Sequence, residues 1–125
     1  MDEVKKLLMI DDDKDLLAAL KLKLEKTGKY IVVTSTDGSK AVELASDTAP
    51  DLIVLDIDMP DMDGGAVATS LSESKDTGNI PVLFLSSLVP NEQVVESDGV
   101  IGERNMASKK GSIQDLIDRI DTMIL

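Results

Sequence analysis

Cysteine and histidine are both missing from this sequence, and each absence removes a class of chemistry. There is no cysteine, so no disulfide, thiol nucleophile or thiolate metal site can be built. There is no histidine either, which takes away the commonest general base and the usual zinc ligand. Any metal held here must therefore be hard and oxygen-ligated, as Mg2+, Ca2+ and Mn2+ are. No apolar run approaches the length of a membrane span, and the N-terminus carries no signal-peptide hydrophobic segment. Positive charge is scarce as well: 13 Lys and Arg stand against 24 Asp and Glu, a formal net charge of −11. That balance argues against a surface for nucleic-acid phosphates, and over most of the molecule it reads as solubility. A chain of 125 residues is one domain, large enough to bury a single core without staples. The expectation is a soluble cytoplasmic domain, with no membrane and no direct nucleic-acid contact.

What the sequence does contain is a series of short apolar runs that end in polar loops. Leu7–Ile10 stops at Asp11-Asp12-Asp13, and Leu52–Leu55 stops at Asp56, inside the stretch DLIVLDIDMPDMDG from Asp51 to Gly64. Val82–Leu85, opened by Pro81, stops at Ser86-Ser87, and Tyr30–Thr34 is β-branched and aromatic. Unbroken runs of this length, rather than alternating ones, predict strands covered on both faces. Between them, Leu16, Leu17, Leu20 and Leu24 recur at helical spacing over Lys14–Thr27, with Gly28 as a stop. Asp37-Gly38 predicts a turn, and Ala41, Leu44 and Ala45 a short helix that ends before Pro50. Ala66–Ser74 and Asn91–Ser97 are further helix candidates, and a fifth strand falls within Arg104–Ser108. Ser112 caps a last helix whose apolar face is Ile113, Leu116, Ile117 and Ile120. Strand and helix thus alternate five times, which implies a parallel sheet with helices on both faces.

In such a sheet every strand C-terminus lies along one edge, where open α/β proteins place their sites. Asp11, Asp12, Asp56 and Ser86 therefore meet there. Carboxylates converging without a cation raise the cost of ionising one another, and a divalent ion removes that penalty. Mg2+ needs only one or two carboxylates plus water and phosphate. Helix capping accounts for one of the three acids at the first strand end, best assigned to Asp13, but not for a second strand end that also carries an acid.

These motifs taken together, LLMIDDD at Leu7–Asp13, LDIDMPDMDG at Leu55–Gly64, IPVLFLSS at Ile80–Ser87 and the Lys in SKKG at Ser108–Gly111, resemble the receiver domain of two-component response regulators over essentially the whole chain. The resemblance implies a doubly wound, flavodoxin-like sheet of order 2-1-3-4-5, an order that periodicity alone does not supply. It implies that Asp56 is the phosphoacceptor, taking a phosphoryl group from a phosphohistidine on a sensor histidine kinase or histidine phosphotransfer protein. It implies Mg2+, with Mn2+ as a substitute, held by Asp11, Asp12, Asp56 and the backbone carbonyl of Asp58. Ser86 matches the hydroxyl residue that binds a phosphoryl oxygen, and the small Ser87 leaves room for entry. Of the adjacent Lys109 and Lys110, Lys109 matches the site Lys, because counting from it sets Ser112 at the helix cap and Leu116 at the first buried Leu. Phosphorylation would switch binding to a downstream effector or to a second copy, so the domain is expected to assist its own phosphorylation without being a dedicated enzyme. The chain is expected to be a single receiver domain without an output domain, either free-standing or cut from a longer regulator.

The sequence also departs from the receiver pattern. Lys110 and Gly111 follow the site Lys where a Pro is usual, Met106 stands where an aromatic ring usually does, and Asp98–Asn105 lacks an apolar approach to the fifth strand. Asp58 and Leu88 occupy the positions flanking the attacking water, and the apolar Leu88 predicts slow to moderate self-dephosphorylation. Two other functions fit parts of the pattern. Asp56-Ile57-Asp58 matches the Asp-x-Asp of Mg2+-dependent phosphohydrolases that resemble haloacid dehalogenases, although there the motif ends the first strand. A phosphorylation-independent binding module could use the same fold; the full set of acid pair, acceptor, Ser and Lys speaks against it.

Overall fold

The structure, a computed structural model, describes residues 4–57, 59, 63–86 and 105–124. Five strands, β1 (Lys5–Ile10), β2 (Tyr30–Ser35), β3 (Leu52–Asp56), β4 (Val82–Ser86) and β5 (Asn105–Ser108), form one sheet in the order β2-β1-β3-β4-β5. All neighbouring strands run parallel. Among the described residues the helices are α1 (Lys14–Glu25), α2 (Ala41–Thr48), which follows a 3-10 turn at Gly38–Lys40, α3 (Gly64–Glu73) and, after β5, α4 (Ile113–Ile124).

Each face of the sheet has its own core. Leu7, Met9, Val54, Leu83 and Leu85 pack against Leu17 and Leu24 of α1 and Leu116, Ile117 and Ile120 of α4. On the opposite face Leu8, Ile10, Ile53, Leu55 and Phe84 pack against Ala41 and Ala45 of α2 and Val67, Ala68 and Leu71 of α3. Because side chains alternate across a strand, an unbroken apolar run fills both layers at once. β3 lies in the middle of the sheet order and is buried from end to end.

Polar groups set the helix boundaries. Asp13 caps α1, its Oδ1 accepting from the N–H groups of Asp15 and Leu16 at 3.1 Å each. Ser112 caps α4 through the Asp115 N–H at 3.0 Å. α1 stops at Glu25, short of the predicted Thr27. The Thr27 hydroxyl donates to the Leu24 carbonyl at 2.7 Å, the side-chain competition with the backbone that ends helices. α3 begins at Gly64 rather than Ala66, since Asp63 caps it by accepting from the Gly65 N–H. The predicted helix at Asn91–Ser97, and Arg104 of the predicted fifth strand, lie outside the described residues.

Candidate functional site

Register brings the acids together. Ile10 pairs with Leu55 across β1 and β3, so the residue after each, Asp11 and Asp56, lies at the same edge of the sheet. Asp56 pairs with Leu85 of β4, and Ser86 with Ser108 of β5, which sets Ser86 and Lys109 beside the acids. The Lys109 N–H extends the ladder by donating to the Ser86 carbonyl at 2.9 Å. This main-chain bond positions Lys109 although no Pro follows it.

Asp11 and Asp56 are buried, at 1% and 0% exposure, and Asp12 is exposed. One oxygen from each of the three carboxylates lies within 4.8 Å of the others. The Lys109 ammonium sits 2.9 Å from Asp11 Oδ2 and 3.3 Å from Asp56 Oδ2. Lys110 is exposed. Burial pushes the Lys109 amine down, but the hydrogen bond and charge of Asp11, joined by the charge of Asp56, outweigh it and hold the amine above its ordinary value. Asp11 is itself fixed, its Oδ1 accepting from the Asp13 N–H at 2.9 Å. Ser86 is buried at the end of β4. Asp58, Ser87 and Leu88 lie outside the described residues, so the expectations for the Asp58 carbonyl and the two rim positions have no structural account.

Among the described residues, one ammonium stands against three clustered carboxylates. The donors are all carboxylate oxygens, hard ligands that suit Mg2+ or Mn2+ and match neither zinc nor copper sites. The residues present therefore fit a hard divalent cation. Met106 is buried in the core layer that also holds the α2 and α3 side chains, and its carbonyl accepts from Arg119 Nη1 at 2.9 Å.

Gly64, the last residue of LDIDMPDMDG, is a site-building residue that the apolar runs and the acids do not point to. A Cβ there would lie 2.6 Å from the Ile57 Cα and 2.7 Å from the Asp56 carbonyl oxygen. Only glycine lets the start of α3 close over the end of β3. The available signal was a Gly directly after the Asp cap, where a helix gains nothing from one.

The family model for the response regulator receiver domain matches residues 7–121. The chain belongs to that family. Receiver domains act in two-component systems, and phosphorylation and Mg2+ binding are general features of theirs. The transcriptional regulatory protein PrrA of Mycobacterium leprae is 43% identical over 82 residues, 66% of this chain and 34% of that protein. The chain thus matches about a third of that relative's length. The receiver domain of Francisella response regulator 1452 superposes with a TM-score of 0.78 at 32% identity, covering 96% of each chain. The chemotaxis protein CheY4 of Vibrio cholerae, at 24% identity, shares the fold with a TM-score of 0.81, covering 98% of this chain and 100% of that one. Among the described residues no helix is long and apolar enough to cross a membrane.

Proposed function

We propose that Asp56 accepts a phosphoryl group from a phosphohistidine on a sensor kinase or phosphotransfer protein, and that the aspartyl phosphate switches binding to an effector or a second copy. One observation carries this reading. Asp56 is a fully buried carboxylate at a strand end, within reach of a second acid and an ammonium. In the transfer, an Asp56 carboxylate oxygen forms a bond to phosphorus as the phosphorus–nitrogen bond of the donor breaks, and the imidazole leaves with the electron pair. Lys109, already paired with Asp56, is placed to neutralise the incoming phosphoryl oxygens, and the Ser86 hydroxyl to donate to one of them. Asp11, Asp12 and Asp56 would hold Mg2+, which supplies charge neutralisation at the transferring group. The chain binds and orients; turnover of a separate substrate is not part of its role. A cytoplasmic location fits a partner of this kind.

The test is incubation with Mg2+ and a small phosphodonor, followed by intact mass. The wild type gains one phosphoryl group and Asp56→Asn gains none. An adduct of equal yield on Asp56→Asn, or a wild type that stays unmodified, sinks the reading. Release of free phosphate from small phosphate monoesters at many turnovers would favour a phosphohydrolase instead.

A further inference from the structure

β2 lies at one end of the sheet, so among the described residues one side of it has no strand partner. Its sequence from Tyr30 to Ser35 is YIVVTS, uncharged, β-branched and free of Pro and Gly. Ile31 is 51% exposed. A strand of this kind at a sheet edge is a template for pairing with another chain, and folded proteins manage such edges explicitly.

The free side of β2 is covered at its centre by two side chains of α1. Glu25 Oε2 accepts from the Val32 N–H at 2.9 Å, and Lys21 Nζ donates to the Val32 carbonyl at 2.6 Å. The two side chains also pair with each other at 3.4 Å, one helical turn apart. Both backbone groups of one edge residue are therefore taken, one by an acid and one by a base. The location of Glu25 is itself informative. It is the last residue of α1, where a carboxylate opposes the helix dipole, so that end of the helix offers it no stabilisation. The hydrogen bond from Val32 does, and it leads the effects holding the Glu25 carboxyl below its ordinary value.

The partner that fits this edge is a second copy of the same strand. Two β2 strands set antiparallel about Val32 would oppose Ile31 with Val33 and Tyr30 with Thr34, with no like charges facing. The two Val32 residues would then exchange both of their N–H···O bonds, as directly opposed residues do in alternate antiparallel pairs. Those are the two groups that Lys21 and Glu25 occupy. We infer that the Lys21–Glu25 pair is an edge guard, which keeps a self-complementary β2 from joining two copies of this domain through a continuous sheet.

Sedimentation velocity on the full chain over a range of concentrations tests this. Lys21→Ala/Glu25→Ala is expected to self-associate at least tenfold more tightly than the wild type, and adding Ile31→Lys to return it to the wild-type value. Lys21→Gln/Glu25→Gln, whose amides can still donate to the Val32 carbonyl and accept from its N–H, should sediment as the wild type does. An alanine pair that sediments like the wild type overturns the inference. So does association that Ile31→Lys leaves unchanged, or a glutamine pair that behaves like the alanine pair. If circular dichroism shows the alanine pair unfolded, amide hydrogen exchange on Glu25→Ala decides. The Val32 amide must then exchange at least tenfold faster than in the wild type while the β1 amides keep their rates; an unchanged Val32 rate overturns the inference.

Discussion

Two adjacent glycines open α3, and substituting each by alanine should move stability in opposite directions. A Cβ on Gly64 would lie 2.6 Å from Ile57 Cα, where ordinary contact begins at 3.4 Å. Helix α3 and the end of β3 must therefore part by about 0.8 Å, and both are backbone in a close-packed region. Overpacking of this kind costs about 1–3 kcal/mol. Alanine returns up to about 1 kcal/mol of helix propensity, less at a first helical position. The net is a loss of about 1–2 kcal/mol, which for a domain of this size lowers Tm by about 4–8 °C. At Gly65 the nearest atom is the Asp63 Oδ1 at 3.3 Å, the tip of an exposed capping side chain that can yield. Gly65→Ala should thus be neutral, or stabilising by up to about 1 kcal/mol. Thermal denaturation followed by circular dichroism at neutral pH reads both. Since the strained contact includes the Asp56 carbonyl, Gly64→Ala should also slow phosphoryl uptake, which Gly65→Ala should not. A Gly64→Ala variant melting at or above the wild type would refute the close-approach argument.

The clustered acids give a second expectation. Removing one negative charge with Asp12→Asn should raise Tm by a few degrees in EDTA, because like charges so close disfavour the folded state. The same change should abolish any rise in Tm that Mg2+ gives the wild type; a lower Tm in EDTA would count against the repulsion. At the other end of the sheet the Tyr30 hydroxyl donates to the Asp121 carboxylate, joining β2 to α4. Tyr30→Phe should cost about 0.5–1.5 kcal/mol in urea denaturation at pH 7. Alkaline pH should act on two groups with the same sign. Burial, followed by the hydrogen bond and charge of Asp121, raises the Tyr30 phenol, and the acids raise the Lys109 amine despite its burial. A raised folded value means a contribution that is complete below the unfolded value and fades as pH climbs toward the folded one. Stability should hold at pH 9 and fall from about pH 10 upward, and the fall should be shallower in Tyr30→Phe. Identical slopes in the two proteins would exclude Tyr30 from the effect.

The parts of this molecule legible in the sequence are those written as runs. β1, β3 and β4 each fill two core layers, so their apolar stretches are unbroken, and the acid or hydroxyl that ends each run marks the site edge. β5 is harder to see. It has four residues, NMAS, and only Met106 and Ala107 of them are apolar. Met106 and Ala107 face opposite layers, and each layer is filled mostly by longer strands. The choice of Lys109 over Lys110 came from counting against a family pattern, whereas in the structure the bond from the Lys109 N–H to the Ser86 carbonyl fixes Lys109 beside Asp11, and Lys110 is exposed. Gly64 left only the faint mark of a Gly after an Asp cap, and the pairing of Lys21 and Glu25 with Val32 left none. Both are distances between segments apart in sequence, and no local pattern encodes them.

The ion pair of Lys109 with Asp11 and Asp56 has a consequence for the nascent chain. Synthesis runs from the N-terminus, and the carboxylates of β1 and β3 are made well before the lysine that follows β5. A chain released up to β4 already holds both acids, with nothing yet from the Lys109 position to set between them. The centre of the sheet is thus born with an electrostatic debt, which Lys109 helps to discharge when β5 docks and its amide joins the end of β4. If Lys109 neutralises the phosphoryl group as proposed, competence to take up phosphate doubles as a readout of completed folding, since that charge arrives with β5.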